Sequence, residues 1–339
     1  MGKKTFVWLV AALLIGMIII GGCTSMQTAK VPDTPKYPDR PITVIVPFSA
    51  GSGPDLIARL LEKEAMQHLG QPLVVVNKPG GAGSLGFNEL VAAAPDGYTI
   101  GISSVELILN PLYGSSKYNY LSALEPLAQA TSSISVLVIQ ANQPWNNVKD
   151  VIDYGETNPG KLKFGHQGIG SFSHIVGETF SSAAGSRLEQ VPFRGGGETI
   201  AALLGGHIQI AFVSPAMAKE HLKNGTLRAL AVSDNQRLND PVFAQVPTFK
   251  EQGYDIVFNS WFGIASPKEL PPQIKNKLAE GLKSIIATPE FQKSVEAMGY
   301  QLDFAGPKEA TAKWQDDSKK LTKTVRDTGI LELIKTQKQ

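Results

Sequence analysis

The sequence predicts an α/β protein of two lobes joined by two extended hinge strands. Short β-branched runs alternate with amphipathic segments along residues 41–103, in a βαβαβ order that is typical of a parallel sheet covered by helices. The same alternation starts again after residue 136. Extended segments near residues 136 and 257 connect this second set of elements with the rest. The chain is therefore expected to cross into a second lobe, complete it and return.

The elements of the first lobe follow from local patterns. Residues 41–47 form a β-branched run between two prolines, which predicts a buried strand. Residues 55–69 carry apolar side chains at helical spacing and stop at Gly70, which predicts a helix. The same criteria predict strands over 73–76 and 98–103 and a helix over 84–94.

The second lobe is predicted to contain five strands and four helices. The strands are expected over 136–140, 161–165, 188–191, 208–213 and 227–232. The helices are expected over 148–157, 173–184, 199–204 and 216–224. One more strand over 256–264 and three helices over 272–287, 289–298 and 307–328 follow. These last helices are expected to pack on the first lobe, which then comprises 37–136 plus 258–339, with 137–257 as lobe 2.

Composition restricts the classes of function. The 339 residues are 42% hydrophobic and 18% charged, which excludes a disordered, collagenous or coiled-coil protein. The net charge of +2 is accounted for by Lys3 and Lys4, so the remainder carries 30 basic and 30 acidic side chains. A neutral body gives no basic surface for a phosphate backbone, so no nucleic-acid partner is expected.

The N-terminus has the pattern of an export signal. Two lysines precede the uncharged apolar run of residues 6–20, and a pair of glycines then precedes Cys23. This pattern predicts a lipoprotein signal peptide over 1–22 with acylation of Cys23. A permanent signal anchor is the alternative, although a membrane span needs about 20 apolar residues. Residues 23–36, polar with two prolines, predict a tether, and the protein is expected in the cell envelope, periplasmic or on the outer face of the cytoplasmic membrane.

Three glycine-rich turns are predicted at the carboxyl ends of strands. Residues 47–55 and 165–171 lead into helices of different lobes, and residues 193–197 form the third turn. Helix N-termini present unpaired N–H groups and a positive dipole end, which favour an anion. Opposed turns of this kind predict a site that holds a carboxylate from both sides. Such turns are also ordinary connections in α/β folds, so a purely structural role is the alternative.

Two charged side chains in these turns have two interpretations each. Asp55 is expected either to contact the ligand or to stabilise the first turn of its helix. Arg194 either holds a second carboxylate through its two-pronged guanidinium or forms a surface ion pair.

Metal binding and catalysis are not predicted. Cys23 is the only cysteine, and His166 and His174 lack a ligand pattern around them, so no metal site and no cofactor are expected. Residues 168–171 lack the closing glycine of a nucleophile elbow. The protein is therefore predicted not to be an enzyme, with an exported hydrolase that uses Ser171 or His174 as the less favoured alternative.

Several motifs resemble a known family in order and spacing. They include Pro47-Phe48-x-Ala50-Gly51, Asn77-Lys78-Pro79-Gly80, Ala94-Pro95-Asp96-Gly97-Tyr98-Thr99, Phe164-Gly165-x-x-Gly168-x-Gly170-Ser171-x-x-His174, Val191-Pro192-Phe193-x-Gly195 and Leu227-Arg228-Ala229-Leu230-Ala231-Val232. Over residues 37–330 the chain resembles the Bug family, the extracytoplasmic solute receptors of tripartite tricarboxylate transporters.

The resemblance implies a two-lobed, periplasmic-binding-protein-like fold of type II. It implies a monomeric receptor that captures a small organic carboxylate, a di- or tricarboxylate or a related compound, and delivers it to one large and one small integral permease subunit. A receptor that reports occupancy to a signalling partner is the alternative. The site positions carried over from the family motifs are Phe48, Ser49, Gly51, Asp55, Gly168, Gly170 and Ser171.

Further candidate ligand contacts lie next to these positions or at the ends of other strands. They are Ala50, Ser52, Ser104, His166, His174, Arg194, Gly195 and Ser214. Ser52 stands where the family usually has glycine and His166 where it usually has serine, which suggests an unusual ligand in the distal part of the pocket.

Overall fold

The computed structural model describes residues 37–332 with the exception of 115, 186, 187 and 194. The predicted signal peptide and tether, together with Cys23 and Arg194, lie outside the described residues. Among the residues described, none of the helices combines the length and the apolar character that crossing a bilayer requires.

The elements alternate between strands and helices over most of the chain. The strands are β1 (Ile42–Val46), β2 (Leu73–Asn77), β3 (Thr99–Ser104), β4 (Leu124–Ile134), β5 (Val136–Gln140), β6 (Lys163–His166), β7 (Glu189–Pro192), β8 (Ile210–Val213), β9 (Leu227–Val232), β10 (Asn259–Pro267) and β11 (Gln301–Ala305). The helices are α1 (Gly53–Leu69), α2 (Ser84–Ala92), α3 (Glu106–Leu112), α4 (Tyr120–Ala123), α5 (Val148–Thr157), α6 (Phe172–Ala183), α7 (Gly196–Leu204), α8 (Pro215–Lys223), α9 (Pro272–Ile286), α10 (Pro289–Ala297) and α11 (Pro307–Asp327).

The first sheet has six strands in the order β11-β4-β10-β3-β1-β2. Strand β1 lies in the middle of a parallel group, with Val44 paired to Val75 of β2 and to Ile100 of β3. Strand β10 runs antiparallel to both β3 and β4. Because β1 and β3 are parallel, the segments that follow them leave from the same edge of the sheet.

The second sheet has five strands in the order β7-β6-β8-β5-β9. Strand β6 pairs in parallel with β7 and β8, whereas β5 is antiparallel to β8 and β9. The carboxyl ends of β6, β7 and β8 therefore share one edge, and each is followed by a turn and a helix.

Each sheet has its own apolar core. In the first lobe the rings of Trp261 and Trp314 stack at 5.7 Å, which fixes α11 against the sheet. In the second lobe the ring of Phe212 meets that of Phe180 at 5.6 Å. Fully burying one such aromatic side chain stabilises the folded state by roughly 1.5–3 kcal/mol.

Two extended segments connect the sheets, and Ser233 joins them. Strand β4 passes through Ser135 directly into β5, and the chain returns through Phe258 into β10. The Ser233 hydroxyl accepts a hydrogen bond from Ser135 N and donates one to Phe258 O, both at 2.8 Å. Backbone hydrogen bonds from Ser233 N to Ser135 O and from Phe258 N to Ser233 O reinforce the connection. Hydrogen bonds of Ser233 therefore join the two connecting segments.

Most predicted elements are present, but four were missed. They are β4, β11, α3 and α4. Strand β4 is the longest in the first sheet and is buried along nearly its whole length, but its sequence LEPLAQATSSI lacks the β-branched alternation that predicts a strand. The strand predicted over 256–264 instead spans Asn259–Pro267.

Candidate functional site

A cleft of about 720 Å³ lies between the lobes. Its first-lobe wall is formed by the turn after β1, by residues of β10, and by Met298 and Tyr300, which follow α10. The second-lobe wall is formed by the turns after β6, β7 and β8. Four helices have their N-terminal residues in this lining. Those residues are Ser52, Gly53 and Pro54 of α1, Ser171, Phe172 and Ser173 of α6, Gly195, Gly196 and Gly197 of α7, and Ser214 and Ala216 of α8.

The first-lobe turn is held by a buried carboxylate behind it. Asp55 is 1% exposed and accepts hydrogen bonds from Gly51 N at 2.8 Å, Asn77 Nδ2 at 2.9 Å and Arg59 Nε at 3.1 Å. Burial opposes its ionisation, but these hydrogen bonds outweigh it and hold the pKa of Asp55 below its ordinary value. Asp55 does not line the cleft, so the structure favours its positioning role over direct ligand contact.

The second-lobe turn after β6 is fixed by side-chain hydrogen bonds. Ser171 caps α6, with its Oγ accepting from His174 N at 3.3 Å, and Ser173 Oγ accepts from Gln167 N at 3.0 Å. The Gly170 N–H donates to Nδ1 of His174 at 3.1 Å. Ser171 and His174 are thus partners within the turn and do not form a nucleophile–base pair.

Two stacked histidines lie behind this turn. The rings of His166 and His174 are 4.2 Å apart with an interplanar angle of 18°, and both side chains are fully buried. His166 Nδ1 donates to Gly168 O at 2.9 Å, and its Nε2 contacts the side-chain amide of Gln190. Burial, and after it the electrostatic interaction with His174, lowers the pKa of His166 to about 4. His166 is therefore a neutral structural support at pH 7.

The predicted site residues divide into two groups. Seven of them line the cleft: Phe48, Ser49, Gly51, Ser52, Ser171, Gly195 and Ser214. Seven others do not line it: Ala50, Asp55, Ser104, His166, Gly168, Gly170 and His174. Most of the second group are buried, so the sequence predicted turns that border the cleft but not which of their residues line it.

The lobes also touch at the end of the cleft. A Cβ placed on Gly170 would lie 3.2 Å from the ring of Tyr113, which follows α3 in the first lobe. Within the first lobe, a Cβ on Gly53 at the start of α1 would collide with the Tyr300 hydroxyl. A larger residue at either glycine would displace a tyrosine ring.

The sequence of this chain is similar to that of a known receptor family. Residues 57–330 match the profile of the tripartite tricarboxylate transporter family receptor. The chain belongs to this receptor family. It is 31% identical to BugT of Bordetella pertussis over 300 residues, which cover 86% of this chain and 90% of BugT.

Solved structures of the family have the same fold. The receptor is similar to a TctC solute-binding protein from Polaromonas, with a TM-score of 0.73 and 30% identity over 86% of this chain and 99% of that one. It is also similar to MatC from Rhodopseudomonas palustris with bound malate, with a TM-score of 0.74 and 25% identity over 85% of this chain and 100% of MatC. The predicted type II, two-lobed fold is confirmed, and the receptor is a solute-binding protein rather than an enzyme.

Several residues of the receptor's cleft were not found from the sequence. They include Glu106, Ser133, Ser135, Met217, Ser260, Phe262, Met298 and Tyr300. Ser133 and Ser135 belong to the β4–β5 crossing, which was partly missed. Burial raises the pKa of Tyr300 to about 12, so its hydroxyl stays protonated at neutral pH. Glu106 follows β3 directly, and its position at the carboxyl end of a parallel strand is the signal that could have identified it.

Proposed function

We propose that this receptor binds a small organic carboxylate, a di- or tricarboxylate or a related compound, in the cleft between its lobes. The observation that carries the proposal is the convergence of four helix N-termini, those of α1, α6, α7 and α8, on one cleft. Each N-terminus presents unpaired N–H groups and a positive dipole end. No Lys, Arg or His side chain lines the cleft within the described part of the chain, so the backbone supplies the positive potential.

The hydroxyl groups of the lining complement the backbone. Ser52 Oγ is buried without a hydrogen-bond partner among the described residues. Ser171 and Ser214 begin helices of the opposite lobe. We infer that these three hydroxyls, with Phe48, Ser49, Gly51 and Gly195, contact the ligand. Several hydrogen bonds to a carboxylate are sufficient for micromolar binding, which corresponds to about 8 kcal/mol. The malate in MatC supports a carboxylate as ligand class.

Binding is proposed to close the cleft by rotation at the linked segments around Ser135 and Phe258. In this proposal lobe 1 comprises 37–136 plus 258–339 and lobe 2 comprises 137–257. Closure would exclude water from the carboxylate and strengthen its hydrogen bonds, because their strength increases in a low dielectric.

The receptor is further proposed to be a monomeric cell-envelope lipoprotein acylated at Cys23. It would pass its ligand to a permease of one large and one small integral subunit. Uptake of labelled malate by cells with and without the receptor tests delivery: uptake that depends on the receptor supports transport. Receptor-dependent gene expression without uptake would support the sensory alternative.

A Cys23→Ser variant that still incorporates labelled palmitate would contradict acylation at this residue.

Substitution of Gly195 offers a direct test of the anion site. Gly195 lines the cleft with φ near 179° and has no atom within 4 Å of an added Cβ, so other residues fit there. In calorimetric titrations with malate, succinate, adipate and citrate, Gly195→Asp should weaken binding at least tenfold because it places a negative charge in the site. Gly195→Asn, of the same size but neutral, should stay within about threefold. Equal effects of the two variants, or no binding of any carboxylate by the wild type, would contradict the proposal.

A further inference from the structure

Glu106 is an unexpected group in a cleft for anions. It is the only acidic side chain in the lining among the described residues, and no cationic side chain accompanies it there. It occupies the first position of α3, directly after β3 and Val105, and is partly buried. The ionised Glu106, with no cation beside it in the described lining, would repel a ligand carboxylate and attract a cationic ligand group instead.

The surroundings of Glu106 contain no compensating charge. Burial raises the pKa of Glu106, whereas hydrogen bonds from the Ser104 hydroxyl and from the backbone N–H of Glu106 act to lower it. No cation among the described residues contributes to the shift. Tyr113 lies seven residues further along the chain, on the same side of the helix, and is 6% exposed. Its hydroxyl has no hydrogen-bond partner among the described residues. Burial, and after it the charge of Glu106, raises the pKa of Tyr113, which places the two groups within electrostatic reach.

Glu106 is also close to the proposed carboxylate site. Strands β1 and β3 are parallel neighbours, and adjacent strands are about 4.8 Å apart. The turn 48–52 follows β1, and Glu106 follows β3 at the same edge. From the other lobe, Gly170 lies so near Tyr113 that a Cβ added to it would be 3.2 Å from the ring. A ligand only a few carbon atoms long therefore has room to reach both the helix N-termini and the Glu106 carboxyl.

We propose that Glu106 selects ligands that carry a positively charged amine in addition to a carboxylate. This inference rests on the proposed function and narrows its ligand class to amino carboxylates. An ammonium group compensates the Glu106 carboxylate, which lines the cleft, and donates a charge-assisted hydrogen bond to it. The ligand carboxylate remains with the helix N-termini.

Titration calorimetry with ligands of matched length tests the inference. The four-carbon probes are 4-aminobutyrate, succinate and butyrate, and the five-carbon probes are 5-aminopentanoate, glutarate and pentanoate. At pH 7.5 the amino carboxylate of at least one series should bind at least tenfold more tightly than the dicarboxylate and the monocarboxylate of that series. Glu106→Gln, which has nearly the same shape, should remove this preference and leave the affinity for the monocarboxylate within about threefold.

A measurement on the wild type keeps the test independent of the variant's folding. Affinity for the preferred amino carboxylate should fall at least fivefold as the pH is lowered from 7.5 through the raised pKa of Glu106, whereas affinity for the monocarboxylate should change less. The inference would be overturned if a dicarboxylate bound more tightly than the amino carboxylate in both series. It would also be overturned if Glu106→Gln kept the preference for the amino carboxylate. In both cases the proposed function would stand. If none of the six probes and none of malate, adipate and citrate binds, the proposed function fails and this inference with it.

Discussion

The backbone N–H of Gly51 donates a 2.8 Å hydrogen bond to the buried carboxylate of Asp55. Gly51 lines the cleft and Asp55 does not, so the bond fixes a surface turn from the inside. The same carboxylate accepts hydrogen bonds from Asn77 and Arg59, which connects the turn with β2 and α1. The shape of the first-lobe wall therefore depends on the charge of one hidden side chain.

Asp55→Asn should reduce both stability and ligand affinity. The amide keeps the volume but loses the charge, and it offers one acceptor oxygen in place of two. We expect a loss of about 1–3 kcal/mol in the free energy of unfolding, which is typical for a broken buried hydrogen bond to a charged group. Urea denaturation and calorimetry with malate measure the two effects.

Glu62 on the same helix, which is partly exposed and pairs with Arg59 at 3.6 Å, provides the control for this variant. Glu62→Gln removes an acidic charge of α1 in solvent contact and should change the unfolding free energy by less than about 0.5 kcal/mol. The pKa of Asp55 is lowered in the folded state, so its stabilising contribution is present at neutral pH and is lost as the pH falls through that lowered pKa. An Asp55→Asn variant as stable as Glu62→Gln would contradict the positioning role.

His166 should make the receptor less stable in mild acid. Its pKa is lowered from 6.5 to about 4 in the folded protein, so the unfolded chain binds more protons between these values. The contribution of neutral His166 to the unfolding free energy is therefore fully present above pH 6.5 and decreases as the pH falls towards 4. One proton changes the unfolding free energy by roughly 1.4 kcal/mol per pH unit, so we expect about 1–2 kcal/mol of loss from pH 6 to 4.5.

Removing the imidazole of His166 tests this assignment. His166→Gln should lower stability at pH 7 but give a shallower decrease between pH 6 and 4.5, measured by urea denaturation at several pH values. The exposed His207 is the control, because His207→Gln should leave the wild-type pH dependence in place. An unchanged slope in His166→Gln would mean that other groups cause the acid sensitivity.

Gly170→Ala should weaken ligand binding as well as folding. Gly170 has φ of +81°, where a side chain costs roughly 1–2 kcal/mol, and the added Cβ would press on the Tyr113 ring of the other lobe. Gly185→Ala is the matched control, because Gly185 has φ of +65° but open space around it. Thermal unfolding should show a similar backbone cost for both variants. Only Gly170→Ala should reduce affinity for malate, by fivefold or more.

The sequence predicted the alternation of strands and helices well, but it could not locate β4. Where a strand is β-branched, as in β1, the pattern is strong because both faces of a parallel strand are buried among apolar side chains. Strand β4 passes from the core into the hinge, and its last part, Ala130–Ile134, consists largely of small polar residues. Such a segment is stabilised by pairing with β10 and β11, which local sequence does not reveal.

The candidate site was predicted at the level of turns. Glycine at strand ends indicated where helices begin, but His166 and Ser171 lie in the same turn and only the packing decides that one supports it and the other faces the cleft. Glu106 was missed because a single acidic residue after a strand has no distinctive pattern. Its importance comes from the absence of cations among the described lining residues, which is a property of the folded cleft.

Ser233→Ala should loosen the hinge. The hydroxyl joins Ser135 and Phe258 of the two crossing segments, and both of its hydrogen bonds are at 2.8 Å. Without the hydroxyl, the N–H of Ser135 and the C=O of Phe258 each lose a hydrogen-bond partner. This loss should lower the unfolding free energy by about 1–3 kcal/mol. If the proposed closure bends the chain at this point, the variant should also show faster exchange of the carboxylate that binds most tightly in calorimetry, measured by stopped flow.

Ser266→Ala separates the hinge effect from the loss of any buried hydroxyl. Ser266 lies in β10, is fully buried, and its Oγ has no hydrogen-bond partner among the described residues. Removing an unsatisfied hydroxyl should be neutral or slightly stabilising, and the exchange rate of the same carboxylate should not change. If Ser233→Ala behaves like Ser266→Ala in both measurements, Ser233 does not couple the two segments. The backbone hydrogen bonds between Ser135, Ser233 and Phe258 would then be sufficient to define the axis of closure.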